Sequence, residues 1–172
     1  MNRLLTIYRQ PNITPKTGTA IRRKAYRAII FKDDLILLIK SEKYGEMKFP
    51  GGGKEAKESA FEVLFREVME ETGYKIKSRI RPFASTMEYA HDFKGEFDYF
   101  IQDSRYYFCE IHPIQQQTSY SDYEIDYGYH PLWVRLEDAI LNNELVASND
   151  LIPWRERDTE MLKIILEMRN RR

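Results

Sequence analysis

Residues Phe49–Tyr74 read FPGGGKEAKESAFEVLFREVMEETGY, a glycine turn followed by one amphipathic helix. Ser59 followed three residues later by Glu62 is the S-x-x-E capping-box pattern, which predicts a helix starting near Ala60. Gly73 is placed to end that helix in a left-handed conformation. At about 100° per residue, Phe61, Leu64, Phe65, Val68 and Thr72 share one face, the expected buried stripe. Glu67, Glu70 and Glu71 form a second face, about 120° around by the same count.

The second face is unfavourable by itself. Glu67 has like-charged neighbours three and four residues on, and each such pair costs about 0.2–0.5 kcal/mol. A trio of glutamates on a helix is usually just a solvated acidic face. Converging carboxylates are also the hard oxygen donors that Mg²⁺ or Mn²⁺ takes. The glycines ahead of them let backbone approach a ligand or ion closely.

The spacing resembles the Nudix hydrolase motif G-x5-E-x7-R-E-U-x-E-E-x-G-U, where U is bulky and aliphatic. The matching residues are Gly52, Glu58, Arg66, Glu67, Val68, Glu70, Glu71 and Gly73, with Tyr74 an aromatic departure at the last position. At roughly 5–8% usage per residue type, the fixed positions match by chance on the order of 10⁻⁸ per window. The resemblance implies an α/β fold, the Nudix-type α/β/α sandwich with a mixed β-sheet. It also implies hydrolysis of the pyrophosphate bond of a nucleoside diphosphate linked to another group, with Mg²⁺ or Mn²⁺. By resemblance, Glu67, Glu70 and Glu71 are metal ligands with the Gly52 carbonyl, Glu58 is an outer-shell metal residue or a partner for Arg66, and Arg66 holds a carboxylate in place.

In that family the general base comes from the motif or from a carboxylate in a later loop. Here Asp122, Glu124 and Asp126 lie in SYSDYEIDYGYH, and Glu88 lies further upstream. Glu124 is the choice, because its loop precedes the LWVRLEDA segment and should return over the site. Arg23, Arg27, Lys40 and Lys48 flank the strands leading into the motif and are candidates for phosphate, although most Lys and Arg are only solvated surface. Tyr44, Tyr89, Tyr120 and Tyr123 are candidates to stack a base, with Tyr89 preferred. Two other functions stay open: an oxidised (d)NTP pyrophosphatase, and a non-catalytic nucleotide-sensing module of the same fold.

Length and composition bound the rest. At 172 residues and 42% hydrophobic, the chain suits one domain with a substantial core. Residues 1–20 read as an N-terminal extension, a short strand or loop, and residues 21–172 as the single domain. Lysine plus arginine balances aspartate plus glutamate at 27 each, so nothing suggests duplex nucleic acid or a membrane surface as partner. The expected partner is a small nucleotide. The N-terminal segment and the tyrosine-rich loop are candidate homodimer contacts. No apolar run is long enough to span a bilayer and no signal peptide is visible, so the expected location is cytoplasmic. The lone Cys109 sits in a strand-like run and reads as a buried, inert thiol.

Outside the motif, Leu4–Tyr8 reads as a short strand and Pro11–Thr19 as a loop. Lys24–Phe31 and Leu35–Lys40 read as a hairpin turning at Asp33-Asp34, both arms apolar on two faces as in covered central strands. Strands are expected over Tyr74–Arg79, Ala84–Tyr89, Phe97–Ile111 and Leu132–Leu136, with a connection at Asp92–Gly95. Gln115–Asp126 reads as a polar loop, and a helix begins over Leu136–Leu141. Pro153 fits the first turn of a last helix that runs to about Met168 and buries Met161, Leu162, Ile165 and Met168.

Overall fold

The computed structural model describes residues 1–10, 13, 18–92 and 94–171. The loop expected over Pro11–Thr19 lies mostly outside these residues, as does Phe93 in the Asp92–Gly95 connection.

Two strands organise the core. They are β2 (Ala20–Ile29) and β4 (Leu35–Ser41), and each carries apolar side chains on both faces. Tyr26 and Ala28 of β2 and Leu37 of β4 pack in one cluster with Val63, Leu64 and Val68 of helix α1 (Ala60–Thr72). Ile29, Ile36 and Leu38 join a second cluster. Its other members include Leu136, Ala139 and Ile140 of α3 (Leu136–Leu145) and Met161, Leu162 and Ile165 of α4 (Trp154–Asn170). Helices therefore cover the strands from two sides, which is the α/β/α sandwich, and strands buried on both faces read as continuous apolar runs.

The strands form two sheets. The first is mixed, in the order β1 (Asn2–Tyr8), β7 (Ile76–His91), β8 (Tyr99–Ile111), β2, β6 (Gly51–Gly53). In it β1 runs parallel to β7 and β2 parallel to β8, while the other two pairings are antiparallel. In the second sheet β4 pairs antiparallel with β3 (Phe31–Lys32), β5 (Met47–Lys48) and β9 (Tyr129–Arg135). Among the described residues no helix is long and apolar enough to cross a membrane.

Five expectations change. The hairpin survives only at its tip, where Phe31 faces Ile36 and Asp33 turns with φ 55°. Most of β2 leaves for the other sheet, where its ladder to β8 runs from Ala20 to Ile29. Two expected strands are one, β7, whose register shifts beside Pro82 because proline cannot donate to the ladder. The expected loop contains helix α2 (Asp122–Tyr127), which starts with its own S-x-x-E box at Ser121 and Glu124. The stripe on α1 is also turned. Val63, Leu64, Val68, Glu71 and Thr72 are buried, whereas Phe61 and Phe65 are exposed. The buried face thus takes in one of the carboxylates, because the helix packs against β6 as well as against the apolar face of β2. At the last helix Met168 is only half-buried, unlike Met161, Leu162 and Ile165.

Candidate active site

Both ends of α1 are fixed locally. Ser59 Oγ accepts the Glu62 N–H at 3.3 Å, and the Glu62 carboxylate accepts the Ser59 N–H at 2.6 Å. Gly73 closes the helix at φ 73°, its N–H donating to the Met69 carbonyl at 2.9 Å. Strand β6 lies against this helix, with Gly52 opposite Tyr26 of β2. A Cβ on Gly52 would fall inside the Glu67 carboxylate, so only glycine lets that carboxylate rest against backbone.

The acidic residues meet different surroundings. The Glu71 side chain is 2% exposed and accepts from Lys48 Nζ at 2.7 Å and from the Gly51 N–H at 2.6 Å. Tyr120 OH donates to the Glu71 carbonyl at 2.9 Å, which ties this turn to the segment before α2. Glu67 is largely buried and accepts from Arg66 Nη1 at 2.9 Å. Burial, and then the charge of Glu71, push the Glu67 carboxyl above its ordinary range. Glu70 is 43% exposed and accepts from Arg66 at 3.2 Å. Arg66 also grips Glu58 with two nitrogens, at 2.8 and 3.1 Å. That grip, with the Glu55 N–H behind it, holds the Glu58 carboxyl down to about 2.

Among the described residues, no three Asp, Glu, His or Cys side chains are gathered into a ready-made metal cage. Arg66 and Lys48 draw the carboxylates instead. The donor chemistry still fits a hard dication. Glu67 and Glu71 border one cavity beside the Gly52 backbone, and their mutual repulsion is part of what raises Glu67.

That cavity encloses about 380 Å³. Arg23, Arg27 and Lys48 stand in its wall with Glu67 and Glu71, and the wall continues through Tyr123, Glu124, Tyr129 and Trp154. Arg27 donates to the Gly51 carbonyl, while its buried Nε has no hydrogen-bond partner among the described residues. Burial, then Arg27, lower the basicity of Arg23. Cations crowded beside one another and left partly unpaired suit an anionic group. Glu124 accepts from the Ser121 N–H at 2.8 Å and from its Oγ at 2.7 Å. A second cavity of about 230 Å³ shares Arg23 and Trp154 with the first and is lined further by Ala90, Phe100, Gln102 and Pro153.

Of the residues singled out from sequence, Gly52, Glu67, Glu71, Arg23, Arg27, Lys48, Tyr123 and Glu124 meet at the first cavity. Arg66, Glu58 and Glu70 are not in its wall; Arg66 donates to Glu58, to Glu70 and to Glu67, the last of which is. Lys40 sits on β4 opposite Met47, outside the cavity wall. Tyr89 stacks on Tyr8 at 5.2 Å and is also outside it. Asp122 is not in the wall, and Asp126 pairs with Lys43 at 2.6 Å. Glu88 belongs to the second cavity, ion-paired with Arg157 and Arg9. Tyr129 and Trp154 also line this cavity, and no motif in the sequence marks them. The available hint was a tryptophan directly after the proline of a helix start, a large side chain at an end rather than on a stripe.

A NUDIX domain family model matches residues 21–154. No curated protein matches the chain by sequence. Among solved structures, the E. coli ORF135 protein is similar at 24% identity, covering 70% of this chain and 78% of that one, with a TM-score of 0.51. The MutT NUDIX hydrolase from Burkholderia pseudomallei is similar at 23% identity, covering 68% and 85%, with a TM-score of 0.51. A NUDIX hydrolase from Nitrosomonas europaea is similar at 17% identity, covering 82% and 90%, with a TM-score of 0.52. At these identities the likenesses concern the fold, and the family model covers most of the length: the chain belongs to the Nudix family.

Proposed function

We propose that this Nudix pyrophosphohydrolase cleaves the pyrophosphate bond of a nucleoside diphosphate linked to another group, in the presence of Mg²⁺ or Mn²⁺. The observation that carries this reading is the first cavity, where three cations and two inward carboxylates share one wall beside glycine backbone. A pyrophosphate is densely anionic, and its hydrolysis needs charge neutralised on the bridging and leaving oxygens. A divalent ion, when bound by Glu67, Glu70 and Glu71 with the Gly52 carbonyl, supplies part of that neutralisation and a more acidic water.

The chain's own residues do the remaining work. Arg27 and Lys48 hold phosphate oxygens, with Arg23 beside them. Glu124 accepts the proton of the attacking water. Arg66 keeps Glu67 turned inward, and Glu58 fixes Arg66 by its two-point grip. The second cavity gives the nucleoside room, with the rings of Phe100 and Trp154 available to stack a base. The test is a panel of NTPs, oxidised dNTPs and ADP-sugars with Mg²⁺ or Mn²⁺, read as nucleoside monophosphate formed, separated by ion-exchange chromatography. Turnover of one class at micromolar to millimolar KM is the expected result. Tight nucleotide binding without turnover across the panel would make the chain a sensing module instead.

A further inference from the structure

Glu46 is fully buried in the connection between β4 and β5 and borders neither cavity. Its Oε1 accepts from Trp154 Nε1 at 3.2 Å and from Tyr129 OH at 3.4 Å. Its Oε2 is buried without a hydrogen-bond partner among the described residues. A half-satisfied buried carboxyl gives up hydration that its hydrogen bonds only partly return. Burial pushes the Glu46 carboxyl upward, in keeping with that cost. What the residue provides is geometry. Trp154 forms wall for both cavities, and Tyr129 forms wall for the first. The Tyr129 ring centre also lies 4.3 Å from Lys48 Nζ, the group that grips Glu71. One oxygen atom thereby fixes two aromatic walls.

We infer that Glu46 is a positioning residue for substrate binding, acting through Trp154 and Tyr129 rather than by touching substrate. The inference rests on the first cavity's being the substrate site, as proposed above. Trp154 is the stronger arm, with the shorter hydrogen bond and a place where the two cavities meet. Losing the anchor frees the indole to rotate. The cost of refixing it then falls on binding, in the ground state and transition state alike, so KM rises and kcat does not change.

The test compares Glu46→Leu, Glu46→Gln and Trp154→Phe. Steady-state kinetics use the nucleotide that wild type turns over fastest. Glu46→Leu leaves the Trp154 Nε1–H and the Tyr129 hydroxyl without their acceptor, so it is expected to lower the thermal midpoint modestly while raising KM about tenfold, the equivalent of one hydrogen bond. Trp154→Phe, which removes the indole N–H, should raise KM at least as much, and Glu46→Leu should then raise it little further. Glu46→Gln keeps an acceptor and should retain a KM near wild type. A lowered midpoint with unchanged KM would make Glu46 a structural residue and overturn the inference, as would fully additive effects of Glu46→Leu and Trp154→Phe. If Glu46→Leu does not fold, an unchanged KM in Trp154→Phe overturns it equally.

A second readout needs no activity. The chain has two tryptophans, so Trp133→Phe leaves Trp154 as the lone indole. Acrylamide should quench its emission more readily after Glu46→Leu, and equal quenching would remove the anchor. If wild type hydrolyses nothing in the panel, the proposed function fails, while the quenching experiment still decides the anchor.

Discussion

Glu67 and Glu71 lie one helical turn apart on α1, yet each depends on different partners. Glu67 is held by Arg66 at the helix surface and rests against Gly52, so its removal leaves no buried cation behind. Glu67→Gln is therefore expected to keep the fold by circular dichroism and to lower kcat by about a hundredfold or more, measured with saturating Mg²⁺. Glu71→Gln should lower kcat similarly, and also destabilise the protein by about 3 kcal/mol in urea, because Lys48 would stay buried without its carboxylate. A stability loss in Glu67→Gln as large as in Glu71→Gln would contradict this division. That Glu67 and Glu71 share one face of a helix was legible from spacing. Their partners were not, since Lys48 lies 23 positions from Glu71 and nothing in local periodicity connects them.

At the scale of elements, α1 is specified by its caps. Removing the Ser59 hydroxyl in Ser59→Ala should cost about 1 kcal/mol, read as a shifted urea midpoint with unchanged slope. The same box gives a pH dependence. The Ser59 backbone N–H, and then its side chain, hold the Glu62 carboxyl below its ordinary 4.5. A carboxyl depressed in the folded state stabilises above its unfolded value and loses that contribution as pH falls toward its folded value. Glu62→Gln should therefore flatten the fall in stability on acidifying below about 4.5, followed by thermal melts across that range. The helix was legible because caps and a 3.6-residue period are local properties. The orientation of its stripe was not. Phe61 and Phe65 are good core residues by type, but the helix sits where Val63 and Glu71 face inward and leaves both phenylalanines in solvent. Helix α2 carries the same S-x-x-E signal, in a segment too polar and too short for periodicity to register.

Across the molecule, a buried ion network joins three elements. Glu88 of β7 meets Arg157 of α4 at 2.8 Å and Arg9 just beyond β1, and Arg157 also meets Asp158 at 2.8 Å. Glu88→Gln should cost about 3 kcal/mol, because it leaves Arg157 buried and under-paired. For a chain of this length that corresponds to a fall of roughly 6–12 °C in thermal midpoint. Binding of Mg²⁺ or Mn²⁺ should raise the midpoint in wild type, by about 2.7 kcal/mol of added stability at a hundred times its dissociation constant, and much less in Glu67→Gln. No metal-dependent shift in wild type would count against the proposed metal face. Helix α1, its caps, the spacing of its glutamates and the two-sided burial of the central strands can be read from residue order, because each follows from hydrogen bonds and periodicities a few residues long. It took the folded chain to show that β2 leaves its hairpin for β8, that Glu71 turns inward onto Lys48, and that Glu46 and Trp154, 108 positions apart, share one hydrogen bond. Such contacts depend on how the chain closes on itself, and side-chain pattern along a strand or helix is silent about the partner across it.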